Sequence, residues 1–412
     1  MLGGQPVSLQ DIAFPAIVVG AGPVGMTAAL ALRHENIPVM VLEAESQDRL
    51  RPGSRAIFLH KATLQLLEDI APSLGKTMAQ HGVVWPVKRT WFEGQEVYTK
   101  TYPSPSPDTL PPFTSLPQVQ IEQFLYQACL EQGVEFVWSS PVETLQIEPT
   151  GVVVKTRNGH TYTTSYVIGA DGAHSTVRHA AHIDMEGTRS ANTFIVVDVS
   201  EDPDDPLPLE RVFHYNHPQM DGRNVLFVPF AGGWRIDLQL KDSDVVEDFA
   251  GLDAVRRWLP LVMDKKYADR ITWVSTYQFL QVVANSFTDS LYRVLLVGEA
   301  AHLFAPFGAR GFNSGVPDAV TAAQAIHQAL NAKSSSAAQE AIAHFAEQRH
   351  HAAIYNRNAA GIALEHIQGA SSGMQAKRYV AAALSPAWPA LGRWLDEGPY
   401  GPRSGPSATT KY

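Results

Sequence analysis

Residues 16–43 read AIVVGAGPVGMTAALALRHENIPVMVLE. The apolar run at 16–20 has the pattern of a buried parallel strand. Residues 23–35 read as a helix whose small side chains let it press on a sheet, and residues 38–43 read as the next strand. Glycines at 20, 22 and 25 fall on the turn between strand and helix. The first permits a tight turn, the second lets a pyrophosphate approach the backbone, and the third lets the helix close on the strand. The helix start adds unpaired N–H groups and a partial positive charge suited to phosphate. Gly20, Gly22, Pro23, Val24 and Gly25 are therefore candidate dinucleotide-binding residues, with Glu43 and Ala44 at the end of the second strand. A carboxylate at 43 can accept both hydroxyls of an adenosine ribose and repels a 2′-phosphate. FAD or NAD is thus favoured over NADP at this site, and spacing alone leaves open which.

Working outward, the chain of 412 residues carries a formal charge of −9, from 32 basic and 41 acidic residues. That balance gives no electrostatic reason to seek nucleic acid or anionic lipid. No window approaches ~18 uninterrupted apolar residues, so no membrane span is expected. Cys129 is the one cysteine, which excludes an intrachain disulfide and fits a reducing, cytoplasmic setting. Helices are expected at 61–70 and 120–133. Period-two alternation then runs through VEFVW (134–138), VETLQIEP (142–149), GVVVKT (151–156) and TYTTSYVIGA (161–170), with Asn158-Gly159 as a hairpin signal. More short strands follow between Phe194 and Leu240, and RVLLV (293–297) returns to a buried parallel pattern. Helices are expected again at 316–331 and about 337–365.

The fold class is therefore α/β, a Rossmann-like nucleotide-binding domain with an inserted antiparallel sheet and C-terminal helices. Segments 14–85, 118–182 and 286–335 compose the nucleotide-binding part. A hairpin at 86–117 and a sheet at 183–285 form the insertion, 336–400 is helical, and 401–412 is a flexible tail rich in Gly, Pro and Ser.

Two further motifs narrow the cofactor. GADGAHSTVR stands at 169–178, and GEAAHLFAPFGARGFNSG at 298–315, continuing to VPDA at 319. With GAGPVG, these resemble the three fingerprints of the flavin-dependent aromatic hydroxylases, the family of para-hydroxybenzoate hydroxylase and 3-(3-hydroxyphenyl)propionate hydroxylase. The resemblance spans residues 16 to about 330. It implies that the adenosine end of FAD lies on Gly20–Gly25 and Glu43, and the flavin end on the later segment. There Glu299, where the family usually has aspartate, meets the ribityl chain. The backbone of Gly311, Phe312 and Asn313 faces the pyrimidine edge, and Pro306 lies beside the reactive carbon. Asp171 and Arg178 are placed near the pyrophosphate, and Arg55 and Gln118 near the cofactor. Pro306 and Arg55 are the catalytic candidates, and no substrate base is assigned.

The resemblance further implies a single-component monooxygenase. NADPH or NADH reduces FAD, O2 adds to form a flavin C4a-hydroperoxide, and a hydroxyl passes to an aromatic ring. The substrate is expected against the inserted sheet, where Phe213, Tyr215, Phe227, Tyr277 and Phe279 are candidates, although for each one alone a place in the core is the better reading. The cluster His344, Glu347, His350 and His351 reads as a solvated helix face rather than a metal site, and His302 as structural. Alternatives are a related flavoprotein performing N-hydroxylation, epoxidation or Baeyer–Villiger insertion, and a non-catalytic dinucleotide sensor. A halogenase lacks support, since no W-x-W-x-I-P element occurs. A homo-oligomer is compatible with the resemblance.

Overall fold

A computed structural model of the chain describes residues 14–49, 56–104, 106, 109–369 and 371–402. Arg55 and the last ten residues of the expected tail lie outside the described residues. A five-stranded, all-parallel sheet runs in the order Val294–Leu296, Tyr166–Gly169, Ala16–Val19, Val39–Leu42, Glu135–Val137. Every residue of the first four strands is buried, as expected for a sheet covered on both faces, while the edge strand Glu135–Val137 is exposed or half-buried. Helices Pro23–His34 and Arg310–Leu330 pack together over it. Cys129 is buried in this core, where burial pushes its thiol up and keeps it protonated.

The insertion supplies seven strands of an eight-stranded sheet, whose eighth, His302–Leu303, comes from the late motif and pairs with Ile271–Ala284. Its long strands Met185–Ser200 and Ile271–Ala284 pair antiparallel, followed by Gly233–Gln239, Arg223–Phe230 and Glu210–His217. The expected hairpin, Val87–Phe92 with Gln95–Thr101, completes the edge. It joins Glu210–His217 in parallel register, so the sheet is not wholly antiparallel. Alternation decides its two faces. Ile195, Val197, Val199, Trp234, Ile236 and Leu238 pack on the outer side against Val255, Trp258 and Leu259. Arg235 and Asp237, which alternate with Trp234, Ile236 and Leu238, face the cavity beside the nucleotide-binding part, as do Phe213 and Tyr277 on other strands.

Two expectations are corrected. The strand Glu135–Val137 in VEFVW joins the parallel sheet beside Val39–Leu42 rather than an antiparallel one. TYTTSYVIGA splits: Thr161–Thr164 closes a three-stranded antiparallel sheet with the Asn158-Gly159 hairpin, while Tyr166–Gly169 turns into the parallel sheet. Period-two alternation does not distinguish a short strand's partners. Helices Ser335–Gln368, Ser372–Leu384 and Pro389–Glu397 follow, and the last reaches back to the edge hairpin. Among the described residues, no helix is long and apolar enough to cross a membrane.

Candidate functional site

The glycine turn and the Gly298 segment meet in space. A Cβ built on Gly298 would lie 3.0 Å from Val24 Cγ2, and one on Gly315 only 2.5 Å from the same atom. Val24, on the first helix, thus packs against both ends of the late motif. A Cβ on Gly25 would stand 1.9 Å from the Gly20 carbonyl oxygen, which is why only glycine serves there.

Between these motifs and the large sheet lies a cavity of about 620 Å3. Gly22, Pro23 and Val24 line one end. Gly298, Glu299, Pro306, Gly311 and Phe312 line its middle, with Gln118 and Gly172 beside them. Phe213, Tyr277 and Phe279 line the sheet side, together with Arg211, Arg235, Asp237 and Gln278. The size is that of a cofactor or ligand site. Whether an extended dinucleotide fits is answered by three glycines on the wall. At Gly22, Gly172 and Gly311 an added Cβ would meet nothing within 4 Å, so each leaves bare backbone facing open space. The helix Arg310–Leu330 starts at this wall, and its first N–H groups have no intrahelical acceptor. Bare backbone at separate places on one cavity wall suits a ligand with a phosphate-bearing and a flat polar part.

Several expected residues stand behind that wall and brace it. Glu43 Oε2 accepts from the Ala21 N–H at 2.6 Å, Oε1 accepts from the Glu45 N–H at 3.0 Å, and Arg49 Nη1 forms an ion pair with Oε1 at 2.6 Å. Two of its four lone-pair positions take these hydrogen bonds. Ala44 is exposed at the strand end. The Asp171 carboxylate accepts from Ser175 Oγ and from the Val177 N–H at 3.0 Å, capping the short helix Thr176–Ala180. Burial pushes its carboxyl up, against those hydrogen bonds. Arg178 is buried and donates to the carbonyls of Ala300 and Ala173, so it ties the second motif to the third. Burial lowers its pKa, opposed by Asp171. The Asn313 side chain is saturated: Oδ1 accepts from His60 N–H and Thr63 Oγ1, and Nδ2 donates to the carbonyls of Phe58 and Ala309. Gln118 Nε2 donates to Glu122. Glu299 is exposed towards the cavity.

Two substrate-side expectations fail by position. Phe227 lies in the outer core beside Trp258, on the opposite face from its neighbours Leu226 and Val228, which do line the cavity. Tyr215 shares a face with Phe213 but is covered by the C-terminal helices, donating to the Leu395 carbonyl at 2.7 Å.

Sequence reading missed the group that fixes the late motif. Asp318, fully buried, accepts from the Gly298 N–H at 3.1 Å, from His302 Nε2 at 2.6 Å and from Arg349 Nε at 2.7 Å. Burial alone would raise this carboxyl, but Arg349 and His302 outweigh it and hold it below the usual range. The aspartate of VPDA was visible in sequence, whereas its arginine lies 31 residues away on another helix. Also missed were Arg211, Arg235, Asp237 and Gln278, although period-two alternation from Phe213 would have pointed to Arg211 on the same face of its strand.

Residues 13–356 match the family described as FAD binding domain. The 3-(3-hydroxy-phenyl)propionate/3-hydroxycinnamic acid hydroxylase of Mycolicibacterium smegmatis is 24% identical over 404 residues, covering 89% of this chain and 66% of that protein. The 6-methylpretetramide 4-monooxygenase of Streptomyces rimosus is 28% identical over 320 residues, covering 74% of this chain and 54% of that protein. The chain thus spans between about half and two thirds of the length of these relatives. Among solved structures, p-nitrophenol 4-monooxygenase PnpA of Pseudomonas putida aligns with a TM-score of 0.75 at 22% identity, covering 95% of this chain and 99% of that one. At that identity the likeness speaks for the fold. With 13–356 of its 412 residues matched, this chain belongs to the FAD-binding-domain family.

Proposed function

We propose that the chain is a monooxygenase that uses FAD, NADPH or NADH, and O2 to hydroxylate a small aromatic compound. The observation that carries the reading is the single cavity running from Gly22–Val24 past Glu299, Pro306 and Gly311–Phe312 to the aromatic face of the large sheet. Its two backbone cradles would hold the two ends of FAD, with Gly22, Pro23 and Val24 at the pyrophosphate end and Glu299, Gly311 and Phe312 at the ring end. When bound, FAD supplies the transfer of electrons from nicotinamide to oxygen. The protein binds, orients and shields. The helix start at Arg310–Asn313 favours negative charge near it through its free N–H groups. Phe213, Tyr277, Phe279 and Trp85 make the wall apolar and keep water from the reacting ring. Arg235, donating to Asp237 Oδ1 at 2.8 Å, presents a fixed polar pair to the substrate. The part played by Arg55 is carried by the resemblance alone. Relatives' names support an aromatic substrate, as does this wall. We place the enzyme in the cytoplasm, and self-association, measurable by light scattering, belongs to the same proposal.

The test is steady-state oxidation of NADH and NADPH by purified, yellow protein against a panel of phenols and bicyclic aromatics. Oxidation stimulated by one of them, with an oxygenated product, supports the proposal. Bound flavin without turnover under any compound overturns it in favour of a non-oxygenase role.

A further inference from the structure

We propose that a second cavity, between one end of the large sheet and the helix Ser372–Leu384, binds a small oxyanion that also carries hydroxyl groups, of the class of sugar phosphates and sugar acids, with Arg378 and Gln239 holding its anionic group. The cavity measures about 750 Å3. It shares no lining residue with the cavity described above, and the proposal does not depend on the oxygenase reading. Asn224 and Gln239 reach it from the strands Arg223–Phe230 and Gly233–Gln239, and Arg378 from the helix. Part of its polar wall is already satisfied. Arg223 donates from Nε and Nη2 to Asp244 at 2.7 and 2.6 Å, and from Nη1 to the Met220 carbonyl at 3.0 Å. Asn224 Oδ1 accepts from the Asn216 N–H at 3.1 Å, and its Nδ2 donates to Gln239 Oε1 and to the Ile367 carbonyl, both at 2.8 Å. A backbone N–H can only donate and a carbonyl only accept, so this chain of bonds fixes the orientation of both amides. It leaves Gln239 Nε2 without an acceptor among the described residues.

Arg378 is the second unsatisfied group. Its Nη1 donates to the carbonyls of His366 and Ile367 at 3.2 and 3.0 Å, closing the end of the helix Ser335–Gln368. Its Nε is buried without a partner, and among the described residues Nη2 has no acceptor and the side chain no ion pair. Gly369 makes the room for Nη2, since a Cβ there would lie 2.0 Å from it. Arg378 is 5% exposed and Gln239 8%. Two side chains more than nine-tenths buried thus face one cavity with hydrogen bonds unmade, and one of them carries a full charge. Such groups are costly unless something meets them. The free edge of a guanidinium takes two oxygens of a phosphate or carboxylate, and the Gln239 amide adds a further donor. Lys241 also lines the cavity and makes no ion pair among the described residues. The rim has the opposite character. Glu93, Asp221 and Asp242 line it and are exposed, and Glu93 accepts from the Tyr379 hydroxyl at 2.5 Å. Carboxylates there accept from hydroxyl groups and repel a second negative charge. The ligand that fits has one anionic end and a neutral, hydroxyl-bearing body.

The experiment is isothermal titration of the full chain with glucose 6-phosphate, gluconate, glucose and inorganic phosphate. Glucose 6-phosphate or gluconate should bind at least about tenfold more tightly than glucose, and the tighter of the two names the anionic group. Arg378→Gln should erase that preference. Gln239→Glu keeps the oxygen that Asn224 needs and sets a carboxylate oxygen in place of the free donor, so it should erase the preference too. Its FAD affinity should stay within about threefold of wild type, because Gln239 lines only the second cavity. Absence of binding by both anions, glucose binding as tightly as they do, or a preference that survives either substitution overturns the proposal. Inorganic phosphate binding as tightly as glucose 6-phosphate overturns the hydroxyl-bearing class. Should Arg378→Gln fail to fold, judged by circular dichroism, Gln239→Glu and the wild-type comparison decide. Flavin content and NAD(P)H oxidation report on the oxygenase reading separately, so an active flavoprotein indifferent to these anions sinks only the second site.

Discussion

At the scale of single residues, the buried charges carry the sharpest consequences. Asp318 holds a backbone N–H, a histidine and an arginine at once. Asp318→Asn keeps the shape but leaves Arg349 without its counter-charge in a fully buried place. The expected loss is about 3–5 kcal/mol, the usual cost of breaking a buried pair, read as a shift in the urea midpoint of the apoprotein. Because the folded-state pKa of Asp318 is depressed, its contribution is present above the ordinary carboxylate range and lost as pH falls through the folded value. Asp198 runs the other way. It is 1% exposed, neither carboxylate oxygen finds a hydrogen bond, and burial pushes its pKa up to about 7. Arg235 opposes that rise and Asp237 adds to it. A raised acid binds its proton more tightly in the folded state, so the stability it confers is full below the unfolded value and drains away as pH climbs to about 7. Between pH 5 and 7 the wild type should lose stability relative to Asp198→Asn at up to about 1.4 kcal/mol per pH unit, and the two should run parallel above pH 8. Parallel behaviour across the whole range, followed by urea titration, would show that Asp198 is ionised in the fold.

At the scale of elements, the glycine turn separates folding from binding. A Cβ at Gly25 meets the Gly20 carbonyl at 1.9 Å, whereas one at Gly22 meets nothing within 4 Å. Gly22 has φ −72°, which alanine adopts freely. Gly22→Ala should therefore leave apoprotein stability within about 0.5 kcal/mol of wild type. Its methyl group occupies the cradle, so FAD affinity should fall about tenfold or more by flavin fluorescence titration. Gly25→Ala should fold poorly with or without FAD. Equal FAD affinity in Gly22→Ala would remove the pyrophosphate from that backbone. These elements were also the most legible in sequence. The strand-turn-helix at Ala16–His34 declares itself because local sterics and helix–sheet packing fix each glycine. The helix Lys61–Ile70 emerges at its expected limits because its apolar stripe, Leu64, Leu67 and Ile70, is local information. What depends on distant partners was not legible. The three residues Glu135–Val137 take their direction from Val39–Leu42, far away in the chain. Phe227 and Phe213 look alike in sequence, yet only the parity of their strands places one outside and one in the cavity. Likewise Asp318 gave no sign of Arg349, nor Arg211 of Tyr400.

At the scale of the whole molecule, the cavity is lined by segments from early and late in the chain. Gly22 lies at its start, and Pro399 and Tyr400 stand on its wall. The last helix is fastened to the edge hairpin by the buried pair Lys88–Asp396, whose side chains are 2% and 0% exposed. Burial pulls the Lys88 pKa down, and Asp396 opposes it. Asp396→Asn strips the counter-charge from Lys88 and from Arg211 together, and should cost the apoprotein about 3–5 kcal/mol. FAD, by contrast, is proposed to lie on the glycine turn and the helix start at Arg310, neither of which touches Asp396. A ligand present at about 100 times its Kd stabilises the form that binds it by about 2.7 kcal/mol. That increment should differ between Asp396→Asn and the wild type by no more than about 1 kcal/mol, Tyr400, which accepts from Arg310 and lies over Lys88, being the one neighbour the two places share among the described residues. Urea unfolding of both proteins, with and without FAD, gives the four numbers required. An unchanged increment separates the two ends of the cavity energetically, with cofactor held by the first and third motifs and substrate by the sheet and the C-terminal segment. If the increment collapses in the variant, the last helix is part of the cofactor site.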